Sequence, residues 1–157
     1  MKDLGERGQA LKSWFVENVD RDTDAFNEVL AARRLPGKGE EDRAARDAAI
    51  ERANQLATRV PLEVLGKSVE AAEMALGVAR DGNPASVSDA GVAGACALAA
   101  AEGAALNVRI NLPSVTDAKV AEDLAAEMDR LLKRARGLAD EVRGVVDAAL
   151  EAQRESS

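Results

Sequence analysis

Apolar residues recur at spacings of three and four through nearly the whole chain, and no stretch shows the two-residue alternation of a strand. The first segment is predicted as a helix from Lys2 to Arg33, with Leu11, Phe15, Val19, Phe26 and Val29 as its apolar stripe. It stops before Leu35-Pro36-Gly37-Lys38-Gly39, a proline and glycine turn. A second helix is predicted from about Glu40 to Ala79, with Ile50, Ala53, Ala57, Val60 and Val64 on its buried side. Pro61 lies inside it and frees the carbonyl of Ala57, so a kink or a junction of two helices is expected there. Asp81-Gly82-Asn83-Pro84 closes this segment. The third helix spans about Ala85 to Asn111, with Ser86 and Ser88 as candidate N-caps. The fourth begins near Ser114, with Asp117 three residues on, and continues to about Arg154. Its stripe is Leu124, Met128, Leu131, Ala135, Leu138, Val142 and Val145. The expected fold is an all-α bundle of four or five long helices, in an oligomer.

Composition sharpens this picture. The 157 residues fit one domain, and 46% of them are hydrophobic, enough for a core. Aromatics make up only 2%, so the helices must pack closely through Ala, Leu and Val or bury surface between subunits. The formal charge of -7 repels phosphate backbones, and no nucleic-acid partner is expected. No run of about 18 apolar residues is apparent, so no membrane span is expected. Met1 to Arg7 has no signal-peptide core. The single cysteine, Cys96, excludes an intrachain disulfide, and a cytoplasmic protein is expected. There is no histidine, which removes imidazole as a general base or zinc ligand. Proton transfer falls to carboxylates, lysine, cysteine or water.

Two features depart from an ordinary helical bundle. Asp22 falls between Val19 and Phe26, in line with the apolar stripe of the first helix, whereas Asp20 and Asp24 lie roughly opposite. A carboxylate on an apolar face is costly unless it is paired or protonated. One that holds its proton near neutrality is what a general acid requires. Periodicity leaves open a salt bridge to an arginine, a wet subunit edge, or this catalytic role.

The second feature is the third helix, whose body is nearly all alanine and glycine. Each glycine inside a helix costs about 1 kcal/mol relative to alanine, so Gly91, Gly94 and Gly103 imply close approach of a backbone or a ligand. Asp89 and Asn107 stand five turns apart on one face, with Ala93, Cys96, Ala100 and Gly103 between them and Asn111 one turn beyond. At about 27 Å apart they cannot grip one reacting group together. An antiparallel second copy would bring Asp89 of one chain to Asn107 of the other, which predicts a two-fold interface with sites at its ends. A helix buried centrally in the monomer, with Asp89 serving its own first turn, is equally consistent with the spacing.

Other signals are weaker. Cys96 reads as a small core residue. Arg33, Arg34 and Lys38 form a cationic cluster able to hold an anion, although exposed turns of this kind are usually solvated. No metal cluster has usable spacing, and the Gly37–Gly39 turn lacks the Gly-Lys-Ser/Thr ending of a phosphate loop.

Taken in order, several segments resemble the cyclodeaminase/cyclohydrolase family of folate enzymes. They are Val19-Asp20-Arg21-Asp22-Thr23-Asp24-Ala25-Phe26-Asn27, Leu35-Pro36 and Val60-Pro61-Leu62, followed by Gly82-Asn83-Pro84 and Ser88-Asp89-Ala90-Gly91-Val92-Ala93. Gly103-Ala104 and Asn107-Val108-Arg109-Ile110-Asn111-Leu112 complete the set. The resemblance covers nearly the whole chain and implies an all-α oligomer with folate bound at subunit interfaces. It assigns Asp22 as the catalytic aspartate and Ser88, Asp89, Asn107, Asn111 and Lys38 to the folate site. It implies a tetrahydrofolate derivative as substrate, no tightly bound cofactor, and a formimidoyltransferase as a candidate partner. The reaction expected first is cyclodeamination of 5-formimidoyltetrahydrofolate to 5,10-methenyltetrahydrofolate and ammonia. Methenyltetrahydrofolate cyclohydrolase activity, or an inactive assembly module of the same fold, are the alternatives. Family members usually begin with a further helix carrying Pro-Gly-Gly-Gly-Ser, so residues 1–157 are expected to be an N-terminally truncated form of the domain. Here Gly37 also stands between Leu35-Pro36 and Lys38, where the family usually has lysine at once.

Overall fold

The computed structural model describes residues 2–155, with side chains from Leu4 to Glu155. Its four long helices are α1 (Lys2–Arg33), α2 (Glu40–Asp81), α3 (Val87–Asn111) and α4 (Ala118–Glu155). Short 3-10 turns at Pro84–Ser86 and Leu112–Ser114 lead into and out of α3, and the described residues contain no strand. The all-α expectation is met. Helix α2 runs antiparallel to α1, as the Arg21–Glu63 ion pair at 2.7 Å and the Gly8–Met74 approach show. It runs parallel to α4, which it meets through Glu73–Arg134 and Arg80–Glu141. Helices α1 and α3 therefore run in the same direction on either side of α2.

The main core lies between α2, α3 and α4, with Leu65, Ala72, Ala101, Val108, Leu138 and Val142 at its centre. Helix α4 buries the predicted stripe, with Leu132 and Val146 deeper than Leu131 and Val145. Helix α1 lies outside this core and joins α2 through a smaller cluster of Val29, Ala32 and Ala53. Its buried side differs from the predicted stripe. Leu11, Asn18, Ala25, Val29 and Ala32 face inward, whereas Val19 and Phe26 are 66% and 61% exposed. An α-helix turns about 100° per residue, so moving from Val19 and Phe26 to Asn18 and Ala25 rotates the buried side toward α2. The larger apolar residues are left on an open edge.

Helix α2 passes through Pro61 as one helix, so the expectation of two helices meeting there is corrected. The carbonyl of Ala57, left without its intrahelical donor by the proline, accepts a hydrogen bond from Asn111 Nδ2 at 2.8 Å. The side chain at the end of α3 thus offsets the bond lost in α2. Buried Thr58 and Ser68 donate to the carbonyls of Asn54 and Val64 one turn back.

Of the two predicted caps of the third helix, Ser86 stands at the N-cap position of α3, but its side chain makes no capping hydrogen bond. Asn83 holds the preceding 3-10 turn by accepting from the Ala85 amide. Asp117 caps α4 directly, accepting from the amides of Lys119 and Val120. Glu51 of α2 clamps the preceding turn. Its carboxylate accepts from Thr116 N, Thr116 Oγ1 and Asp117 N as well as from Gln55. Desolvation pushes this carboxyl up, but the four hydrogen bonds together outweigh it and lower the pKa from 4.5 to about 2. The folded state therefore favours ionised Glu51. Its stabilising effect is fully present above the ordinary carboxylate range and is lost as pH falls from 4.5 toward 2. Glu51→Gln is expected to lower stability at neutral pH by about 1 kcal/mol, as for loss of a helix cap. The gap between the two unfolding midpoints should narrow below pH 4.5. A gap that stays constant down to pH 2.5 would show that ionisation of Glu51 does not matter.

The small residues of α3 have distinct reasons. A Cβ at Gly94 would sit 2.8 Å from the Val142 side chain of α4, and one at Gly91 would touch Val146. Gly94 lets α3 and α4 approach closely, whereas a Cβ at Gly103 would meet nothing within 4 Å. Gly94→Leu should therefore overpack the α3–α4 contact and cost roughly 1–3 kcal/mol in urea unfolding. An unchanged midpoint would show that α4 can move aside.

The Pro84–Ser114 stretch contains a window long and apolar enough to cross a membrane by length and composition alone. Only 33% of that window is buried within the chain. One side of α3 is core. On the other side Val92, Leu106 and Ile110 are 63%, 63% and 75% exposed.

Candidate active site between the first and third helices

Because α1 and α3 flank α2 in the same direction, a groove runs between them with α2 as its floor. Three cavities follow one another along it. The first, about 390 Å³, is lined by Asp22, Phe26 and Arg33 from α1, Asn54 and Ala57 from α2, and Asn107, Ile110 and Asn111 from α3. The second, about 450 Å³, is lined by Phe15, Asn18, Val19 and Asp22 on one wall and Ala100, Gly103 and Asn107 on the other, over Pro61 and Val64. The third, about 460 Å³, lies at the N-terminal ends of α1 and α3. Its lining is apolar apart from Asp89.

Asp22 and Asn107 are shared by the first two cavities and stand where those cavities meet. Asp22 is exposed and makes no hydrogen bond or ion pair among the described residues. Its predicted place on the core face is thus corrected. It occupies the groove edge of α1 with Phe15, Val19 and Phe26, because the core side of that helix is carried by Asn18 and Ala25. The neighbouring Arg21 is engaged elsewhere, donating to Asn18 and Glu63. Asp22 is therefore a free carboxylate on a mostly apolar wall, lining the same two cavities as Asn107.

The other predicted site residues divide. Asn107 faces the groove opposite Asp22. Asn111 lines the same cavity while its amide is committed to Ala57. Asp89 lies on the groove but in the far cavity. Ser88 and Lys38 are exposed and line none of these three cavities. A single chain does not bring all six residues together.

Sequence reasoning missed two groove residues. Asn54 is buried, lines the first cavity and donates to the carbonyl of Ser114 at 2.7 Å. Its signal was a polar residue beside Ala53 and Ala57 in the apolar stripe of α2. Arg33 is the cation that reaches the cavity, although it was grouped with Lys38 on proximity in the turn. The described residues hold no group of three or more His, Cys, Asp or Glu able to bind a metal ion.

The predicted seam on α3 is the wall of this groove. Ala93, Ala100, Gly103 and Asn107 line its cavities. A second stripe, Val92, Cys96, Ala99, Gly103, Leu106 and Ile110, is exposed along the outer side of the same helix. Its alternating spacing of four and three is that of a helix-pairing seam.

A family model described as formiminotransferase-cyclodeaminase matches residues 1–130. The chain belongs to the formiminotransferase-cyclodeaminase family. It is 35% identical over 142 residues to methenyltetrahydrofolate cyclohydrolase of Methylorubrum extorquens, covering 90% of this chain and 68% of that protein. It is 33% identical over 121 residues to formimidoyltransferase-cyclodeaminase of Gallus gallus, covering 77% of this chain but only 22% of that protein. Among solved structures, formiminotetrahydrofolate cyclodeaminase of Thermotoga maritima superposes with a TM-score of 0.79 at 20% identity. That match covers 92% of this chain and 68% of the other. This likeness shows the fold.

Proposed function

We propose that this protein is a folate one-carbon enzyme whose groove binds a tetrahydrofolate derivative, with Asp22 acting on the carbon held between N5 and N10. The observation that carries this reading is the free Asp22 carboxylate facing the same cavities as Asn107. The reaction favoured is hydrolysis of 5,10-methenyltetrahydrofolate to 10-formyltetrahydrofolate. Support for it is the similarity to the Methylorubrum extorquens cyclohydrolase over 90% of this chain, by far the fuller match of the two relatives described. Cyclodeamination, expected first from the sequence, acts at the same carbon and is the second reading, favoured by the similarity to the Gallus gallus formimidoyltransferase-cyclodeaminase.

In the hydrolysis, water adds to the methenyl carbon as Asp22 accepts one of its protons. The C–N5 bond then breaks, N5 takes the proton from Asp22, and the remaining hydroxyl proton leaves to solvent as the formyl group forms. A carboxylate suits the first step, since it also stabilises the positive charge spread over N5, the carbon and N10. Asn107, with an amide able to donate and to accept, would orient the substrate across the groove.

The reading includes a second copy of the chain. An antiparallel copy along the outer stripe of α3 would set small Cys96, Ala99 and Gly103 against one another at the centre, with Val92 against Leu106 toward each end. It would also bring Ser88 and Asp89 of one copy toward the Asn107 end of the other, assembling residues that one chain keeps apart. Flanking this stripe, Glu102 and Arg109 are held by Arg136 and Asp129 of α4, a charged border that suits a protein partner better than lipid. The test is to mix purified protein with 5,10-methenyltetrahydrofolate, and separately with 5-formimidoyltetrahydrofolate, following methenyl absorbance and ammonia. Loss of methenyl absorbance well above the spontaneous rate supports the cyclohydrolase. Ammonia release with a rise in methenyl absorbance would replace it by the cyclodeaminase. Neither signal would end the enzymatic reading.

A further inference from the structure

Resting on the reading that this groove takes a tetrahydrofolate derivative, we propose that Arg33 anchors the glutamate end of the substrate and so fixes the direction in which it lies. Asp22 and Arg33 are the charged residues lining the first cavity. They are eleven residues apart on α1, three turns, so they point the same way with their Cα atoms about 16 Å apart. Side chains on a helix lean toward its N-terminus, so the long Arg33 side chain leans toward Asp22 and shortens the gap to roughly 10 Å. The wall between them is apolar, made of Phe26, Val29 and Leu30, with Ile110 across the groove.

This order of groups matches one class of molecule: a reacting centre that exchanges protons or carries positive charge, an aromatic spacer, and a carboxylate. In a tetrahydrofolate the aminobenzoyl ring and one amide separate N10 from the glutamate α-carboxylate by about 10 Å at ordinary bond lengths. With the one-carbon centre at Asp22, the ring would lie over Phe26 and Ile110 and the carboxylate would meet Arg33. Arg33 is available for this role. Arg21, Arg80, Arg134 and Arg136 are each paired with a glutamate, whereas Arg33 has no hydrogen bond or ion pair among the described residues. A guanidinium also matches a carboxylate through two parallel hydrogen bonds, which a lysine cannot reproduce.

The experiment measures binding of 5,10-methenyltetrahydrofolate and of its methenyltetrahydropteroate analogue, which lacks the glutamate, to the wild type, Arg33→Gln and Arg33→Lys. The wild type should prefer the glutamylated compound by on the order of tenfold or more. Arg33→Gln should bind both compounds with the affinity the wild type shows for the truncated one. Arg33→Lys should recover part of the preference. Arg33→Gln weakening both compounds alike, or keeping the preference, would overturn the role of Arg33 while leaving the folate reading standing. A wild type that binds neither compound would overturn the folate reading, and this inference with it.

Discussion

Replacing Asp22 by Asn is expected to lower kcat for methenyl hydrolysis by roughly 10²- to 10⁴-fold, the range lost when a positioned proton-transfer group is removed. KM should rise by less than kcat falls, because an amide of the same shape fills the same place on the groove wall but no longer attracts the positive charge of the substrate. The unfolding midpoint should stay where it is. Asp22 is exposed and makes no hydrogen bond or ion pair among the described residues, so the substitution leaves no buried partner unsatisfied. Separate measurement of kcat and of urea unfolding therefore distinguishes a chemical role from a structural one. Full activity in Asp22→Asn would sink the mechanism. A fall in stability matching the fall in rate would show that Asp22 holds the fold instead.

The second large effect is expected at Ala99, in the middle of the exposed stripe of α3. The wild type should sediment as a dimer at micromolar concentration, with two α3 helices packed closely through their small residues. Ala99→Arg would place a cation from each copy in that contact. An unpaired charge buried there costs roughly 3–5 kcal/mol, which weakens the dimer by more than about a hundredfold. Ala99 is exposed in the single chain, so the helical content of each monomer should survive. If the second copy completes the site, activity should fall with the dimer and recover as protein concentration is raised. A compact wild-type monomer with full activity would refute the two-fold arrangement, and a monomeric, fully active Ala99→Arg would confine it to assembly.

Much of this was legible in the chain. The four helices, the turn at Leu35–Gly39, the core stripe of α4 and the small-residue seam of α3 all follow from local periodicity and from proline and glycine placement. A helix declares its period to its own sequence neighbours, and α4 has one apolar side, so period and burial coincide there. The freed carbonyl of Ala57 was equally predictable from Pro61. Its partner, Asn111, lies 54 residues away and appears only when α3 folds back along α2.

The misreadings have one cause. In α1 the apolar residues occupy two adjacent edges, one against α2 and one open, and periodicity cannot say which edge a neighbour covers. Asn18 and Ala25 are buried because α2 lies on their side, while Val19 and Phe26 remain exposed beside Asp22. In α3 nearly every residue is small or apolar, so the sequence carries almost no orientation at all. Packing against Val142 and Val146 of α4 turns Gly91 and Gly94 inward and leaves two further stripes outward. One of these became the groove wall with Asn107 and the other an open seam. Local periodicity is enough to make this chain a set of long helices and to mark Asp22 and Asn107 as out of place in an ordinary bundle. It takes the packing of α1 and α3 against α2 to put these two residues on one groove and to bring Arg33, rather than Lys38, to it. The same contacts left Asp89 in a different cavity. Side-chain period is a property of one helix, whereas burial is set by which neighbour removes which side from water.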